Sequence, residues 1–163
     1  MVTQASATSS PKVRARAFIR AGLLVVTVLV LDQLTKRAVI SGISVGAEHK
    51  LLPGVHLVHV RNTGVAFGFF SGGGALVLAF TFAALAVLLT YFVRHPTRPY
   101  LWVPTGLLVG GALGNLLDRI LNGAVTDFIK LPHWPAFNVA DMSITFGVLA
   151  LLWVLEGKPA NGR

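Results

Sequence analysis

Six acids stand in the sequence: Asp32, Glu48, Asp118, Asp127, Asp141 and Glu156. The four aspartates lie within or beside runs too apolar to hold a carboxylate without a partner or a wet cavity. Two carboxylates brought close cannot both ionise easily, so one keeps a proton above its normal range and the pair shares it. Such a pair supplies what peptide hydrolysis needs: an ionised base to take a proton from water, and an acid to donate one to the carbonyl oxygen or the amine. No metal or cofactor is required. Asp127 and Asp141 are the candidates for this pair, because neither has an arginine beside it and each sits at a junction between a loop and an apolar span. For Asp118, which has Arg119 adjacent, and for Asp32 a structural ion pair with Arg61, Arg119 or Lys36 is the competing reading. Glu48 reads as solvated and Glu156 as an ordinary span-end residue.

Three asparagines accompany the aspartates. Asn62 follows Arg61, Asn115 precedes Asp118 by three residues, and Asn138 precedes Asp141 by three. An amide donates and accepts at once, so each could hold a peptide backbone or orient a carboxylate; Asn138 could also cap the helix that follows it. Gly106, Gly110 and Gly114 recur at a spacing of four, a face that admits close approach of a helix, either a neighbour in the fold or a substrate. The five histidines show no metal-ligand spacing coupled to acids, and the sequence has no cysteine, which removes disulfides, thiolate nucleophiles and cysteine-based metal sites.

The elements that must position these residues are membrane spans. Of the 163 residues 54% are hydrophobic and only 12% charged, with a mean hydropathy of +0.71; a soluble domain carries about 25% charged residues. Ala75 to Val93 is free of charge, and its 19 residues reach about 28 Å as a helix, a full bilayer span. The pattern predicts an all-α membrane protein of four transmembrane helices, at about 18–40, 75–93, 100–118 and 139–155, with a small extracytoplasmic β-sheet in the outer loop of about 41–74. There Leu51 to Val60 alternates after a Pro-Gly turn. The peptidase-sized domain spans 17–156, preceded by a disordered basic tail, 1–16, and followed by a short tail, 157–163. A cleaved signal peptide is the weaker reading of the first span, because the helical pattern runs on through Asp32, Gln33 and Lys36.

The net charge of +8 sits at span ends and does not form a soluble basic face, so it argues for topology and not for nucleic acid. Lys12, Arg14, Arg16, Arg20, Arg94, Arg98, Lys158 and Arg163 flank one side, which the positive-inside rule makes cytoplasmic. Both termini are then cytoplasmic, and all four aspartates lie in the outer half.

Five segments in order resemble the bacterial lipoprotein signal peptidases (signal peptidase II): Asp32-Gln33-Leu34-Thr35-Lys36; Arg61 to Gly68; Gly111 to Arg119; Val125-Thr126-Asp127-Phe128; and Pro135 to Asp141. The resemblance covers about 18–155. It implies an intramembrane aspartic endopeptidase of the bacterial cytoplasmic (inner) membrane, with its site on the outer side. Such an enzyme removes the signal peptide from prolipoproteins just before a diacylglyceryl-modified cysteine. It implies Asp127 and Asp141 as catalytic residues. Asp32, Lys36, Asn62, Gly64, Ala66, Asn115, Asp118, Arg119, Asn138 and Ala140 are implied as substrate-binding or supporting residues. No cofactor is implied; the implied partners are the lipidated substrate, membrane lipid and cyclic peptide inhibitors of the globomycin type, and a monomer is expected. Phe67, Phe69 and Phe70 would frame the acyl chains at the interface. One departure is that only the 13 residues Phe128 to Ala140 separate the two catalytic positions, which suggests a smaller lid. A small ion-coupled transporter is the alternative function, and a non-catalytic scaffold a third. Against a transporter, the acids cluster on one side.

Overall fold

The computed structural model describes residues 11–64 and 73–157, with backbone alone for 73–77. Four helices and three strands follow in the order α1 (Pro11–Gly42), β1 (Glu48–Leu52), β2 (Val55–Asn62), α2 (Gly73–Arg94), α3 (Trp102–Asn122), β3 (Val125–Lys130) and α4 (Val139–Glu156). By length and composition, α1 and α4 are the two described helices apolar enough to cross a membrane. Their apolar side chains face outward as much as inward: Leu23, Val26 and Leu34 of α1 and Phe146, Leu149 and Trp153 of α4 are all exposed. A helix apolar all round belongs in lipid or in a protein core, and no other described element of this chain covers these side chains.

Helix α3 is the hub, packed on α1 and on α4. Its glycines make both contacts possible. A Cβ at Gly106 would lie 2.7 Å from Leu24 Cβ, one at Gly110 would lie 2.8 Å from Val28 Cβ, and one at Gly114 would lie 2.5 Å from Asp32 Oδ2. The small-residue face therefore meets α1 of the same chain, the packing alternative for that motif. Gly111 does the same towards α4, where a Cβ would lie 2.5 Å from the Ala140 carbonyl oxygen. Helix α2 packs on α3 and touches α1 through an edge-to-face pair, Phe18 and Phe92, with ring centroids 5.0 Å apart.

At the far end of the bundle from the basic flanks lies an antiparallel sheet in the order β1-β2-β3. Two features depart from the sequence expectations. Among the described residues helix α1 runs from Pro11, so residues 11–16, placed in a disordered tail, are helical. The sheet also gains a third strand, β3, from the second outer connection, which had read as loop. Its pairing with β2 sets Val60 opposite Asp127 and Asn62 opposite Val125. The 128–140 connection, expected as a small lid, finishes β3 and then folds back, with Phe137 exchanging backbone hydrogen bonds with Ile129 at 2.9 Å in each direction.

Candidate active site

Helix α4 opens with a capping box. The Asn138 side-chain oxygen accepts the Asp141 N–H at 2.9 Å, and Asp141 Oδ2 accepts the Asn138 N–H at 3.2 Å. Such a cap is worth about 1 kcal/mol to a helix. It also fixes where the Asp141 carboxylate points. The same Asn138 then donates its amide N–H to Asp127 Oδ1 at 2.7 Å and to Asn115 Oδ1 at 3.1 Å. Capping and site-building, two readings of Asn138, are both realised by one fully buried residue.

Strand β3 brings Asp127 to this point. Asn62 lies diagonally across the β2–β3 pair from Asp127, within side-chain reach on a shared face, and donates to Asp127 Oδ2 at 2.9 Å. The oxygen of Asn62 accepts the N–H of Gly64 at 2.9 Å. Gly64 has φ +80°, a backbone region that side chains other than glycine enter at a cost. Asn115 on α3 donates to Asp141 Oδ1 at 2.8 Å. The two aspartates thus converge from a strand and a helix N-terminus, with Asn138 bonded to both. Asp127 is 2% exposed. Burial, with the Asp141 charge adding to it, raises its pKa from 3.8 to about 6 against the opposing hydrogen bonds from Asn62 and Asn138.

Beneath the pair sits a dry ionic cluster. Lys36 Nζ lies 2.8 Å from Asp32 Oδ2, 3.1 Å from Asp118 Oδ2 and 3.0 Å from Asn115 Oδ1. Asp32 also accepts the Ala140 N–H at 2.9 Å, tying α1 to the first turn of α4. Asp118 accepts the Thr126 N–H at 3.1 Å, tying α3 to the residue before Asp127. Every buried side-chain nitrogen and oxygen among the described residues has a partner, as desolvated charge demands.

Of the ion-pair partners the sequence offers Asp118, namely Arg61, Arg119 and Lys36, the structure selects Lys36 and not the adjacent Arg119. Successive side chains on a helix point about 100° apart, so Asp118 turns inward to Lys36 while Arg119 folds back to the Asn115 carbonyl oxygen at 3.2 Å. Ala140 is fully buried against α3, so its size matters to the packing. Ala66, Phe67, Phe69 and Phe70 lie outside the described residues. One residue was missed as an individual. Gln33 donates to Asp32 Oδ2 at 3.2 Å and to Asp118 Oδ1 at 3.0 Å; an amide beside an acid at membrane depth was the available signal.

Comparison with known proteins shows the family. The family model of signal peptidase (SPase) II matches residues 24–156. A lipoprotein signal peptidase of Moorella thermoacetica is 40% identical over 138 residues, 82% of this chain and 90% of that protein. One from Rhodopseudomonas palustris is 39% identical over 158 residues, 87% and 96% of the two chains. A solved bacterial membrane enzyme superposes with a TM-score of 0.78 at 32% identity, over 85% of this chain and 94% of its own. Together these place the chain in the signal peptidase II family, as an aspartic endopeptidase of that type.

Proposed function

We propose that the chain removes the signal peptide from diacylglyceryl-modified prolipoproteins by cleaving just before the lipidated cysteine, with Asp127 and Asp141 as the catalytic dyad. The observation that carries this is the convergence of the two carboxylates on Asn138, at the end of the bundle opposite the basic flanks. In the resting dyad the ionised carboxylate takes a proton from a water molecule as its oxygen attacks the scissile carbonyl carbon. The protonated carboxylate donates to the carbonyl oxygen. The tetrahedral gem-diol then collapses: the C–N bond breaks, one carboxyl proton passes to the leaving amine, and a hydroxyl proton of the gem-diol passes to the other carboxylate as the carbonyl re-forms, which restores the shared proton.

The reading places the chain in the bacterial inner membrane as a four-span monomer. Both termini and the Arg94–Arg98 turn are cytoplasmic, and the sheet lies at the outer surface in contact with lipid. The polar face of α3, with Asn115, Asp118 and Arg119, is then a span shielded by α1 and α4. Asn62, Gly64, Asn115 and Arg119 face the substrate backbone around the dyad, Ala66 is assigned to substrate binding with them by the family resemblance alone, and globomycin-type cyclic peptides occupy the same place. The whole assignment stands on one assay, in which purified protein is given a diacylglyceryl-modified prolipoprotein peptide. Cleavage before the modified cysteine, inhibited by globomycin and indifferent to chelators, is the expected result. Cleavage of the unlipidated peptide at an equal rate would refute the substrate assignment.

A further inference from the structure

A carboxamide has nearly the same shape either way round, so its orientation must come from its partners. In this site the partners that fix it can only donate. The Asp141 N–H enters Asn138 Oδ1, the Gly64 N–H enters Asn62 Oδ1, and the Lys36 ammonium enters Asn115 Oδ1 at 3.0 Å. With all three oxygens engaged, all three amide nitrogens turn towards carboxylates. Asp127 accepts from Asn138 on one oxygen and from Asn62 on the other. Asp141 accepts from Asn115 on one oxygen and from the Asn138 backbone N–H on the other. All four oxygens of the two aspartates therefore meet N–H donors.

Two of these locks are local, reaching two or three residues along the chain. The third comes from another helix, and Lys36 makes no hydrogen bond or ion pair with either aspartate of the pair. Asn138 also donates to Asn115 Oδ1, but at 3.1 Å, and it shares that amide with Asp127 at 2.7 Å. Lys36 is thus the lock on Asn115 that bonds to neither member of the pair it serves, although its charge also acts on Asp127.

We propose that Lys36 is a positioning residue for hydrolysis, committing the Asn115 oxygen inward so that the Asn115 nitrogen is presented to Asp141. This rests on the reading of Asp127 and Asp141 as the dyad. Without the ammonium, Asn115 is free to turn its oxygen towards the Asp141 carboxylate, and the two acceptors repel. Lys36 also balances Asp32 and Asp118, a purely structural task, and the experiment must separate the two.

The test uses the full-length protein, with thermal unfolding, kcat and KM measured on a lipidated prolipoprotein peptide. Lys36→Met removes the lock and the charge balance together. Lys36→Met/Asp32→Asn removes the lock but leaves the cluster with its native excess of one negative charge. Positioning predicts that both lose about 10- to 100-fold in kcat with little change in KM, the size expected of a misplaced catalytic group. Recovery of kcat in the double variant, or a rise in KM that accounts for the loss, overturns the proposal.

A measurement on the wild type covers the case in which neither variant folds. The 15N signal of the Asn115 side chain should follow the titration of the dyad it faces, with Lys36, Asp32 and Asp118 on its far side; an insensitive signal refutes the orientation. Asp141→Asn, assayed in parallel, keeps the two readings apart. Full turnover by that variant defeats the dyad, whereas an inactive Asp141→Asn beside fully active Lys36 variants defeats only the positioning role.

Discussion

Two three-residue charge clusters occupy opposite settings in this molecule. The inner one joins Asp32, Lys36 and Asp118 with every member at most 2% exposed. The outer one runs across the three strands: Glu48 on β1 meets Lys130 on β3 at 2.7 Å and His56 on β2. Its side chains are 35–46% exposed. The Lys130 hydrogen bond holds the Glu48 carboxyl below its usual range, yet water and salt screen such a pair and leave it worth little. The inner cluster has no such screening. Each of its carboxylates also accepts a backbone N–H next to a residue of the proposed dyad, Ala140 before Asp141 and Thr126 before Asp127. Charge is kept at depth here where it holds backbone in place, and kept at the rim where it holds almost nothing.

The largest expected effect lies one layer above the inner cluster. Asp127→Asn and Asp141→Asn should each lower turnover by about three orders of magnitude or more, and the double variant should be little worse, because base and acid act as one unit. These variants are not innocent in hydrogen bonding. Every oxygen they replace accepts an N–H, so an introduced amide nitrogen faces a donor at a cost of about 1–3 kcal/mol. Thermal unfolding should register that cost while the fold survives. An active Asp127→Asn protein would move the dyad elsewhere.

Asp118→Asn comes next. It leaves Lys36 with Asp32 alone and weakens the hold on Thr126, so about 3 kcal/mol of stability and about 10- to 100-fold of activity should go together. A variant as stable as wild type with no turnover at all, beside an active Asp127→Asn, would make Asp118 the partner of Asp141.

How much of this was legible follows the range of the interaction. The uncharged run to Val93 and the Asn138-x-x-Asp141 cap are local patterns, and the structure holds a helix over the first and the cap at the second. Strand β3 was not legible, because Val125 to Lys130 becomes a strand only through β2, which lies some 65 residues earlier along the Asn62–Asp127 bond. The partner of Asp118 stays open in the sequence for the same reason: Arg61, Arg119 and Lys36 are all on offer, and only folding selects Lys36. Residues 11–16 looked like a tail by composition, yet their helix continues directly into the apolar run.

The pH dependence gives a smaller, signed effect. The folded protein holds the Asp127 proton up to about pH 6, whereas a free carboxyl of pKa 3.8 has released it. Stability from this group is therefore full below about pH 4 and is lost as the pH rises through about 6. The basic limb of kcat/KM, if set by this proton, should lie within about one unit of pH 6. Asn62→Leu removes a hydrogen bond that favours the ionised form, so that limb should move to higher pH. A limb that stays fixed in Asn62→Leu belongs to another group.

The smallest effect tests the other half of the comparison. Lys130→Met leaves Glu48 with His56 alone at the rim, where water replaces the lost ammonium. Lys130 is the last residue of β3, three beyond Asp127, and its Cα partner is His56, so the backbone pairing that carries Asp127 does not depend on its side chain. Turnover should change by less than about twofold, and any change should shrink as salt is raised, since screening acts on exposed charge. The same salt series should leave the defect of Lys36→Met untouched, because that ion pair is out of reach of the solvent. A rim variant as damaging as the buried one, or a buried defect that salt relieves, would mean that burial is not what separates the two clusters.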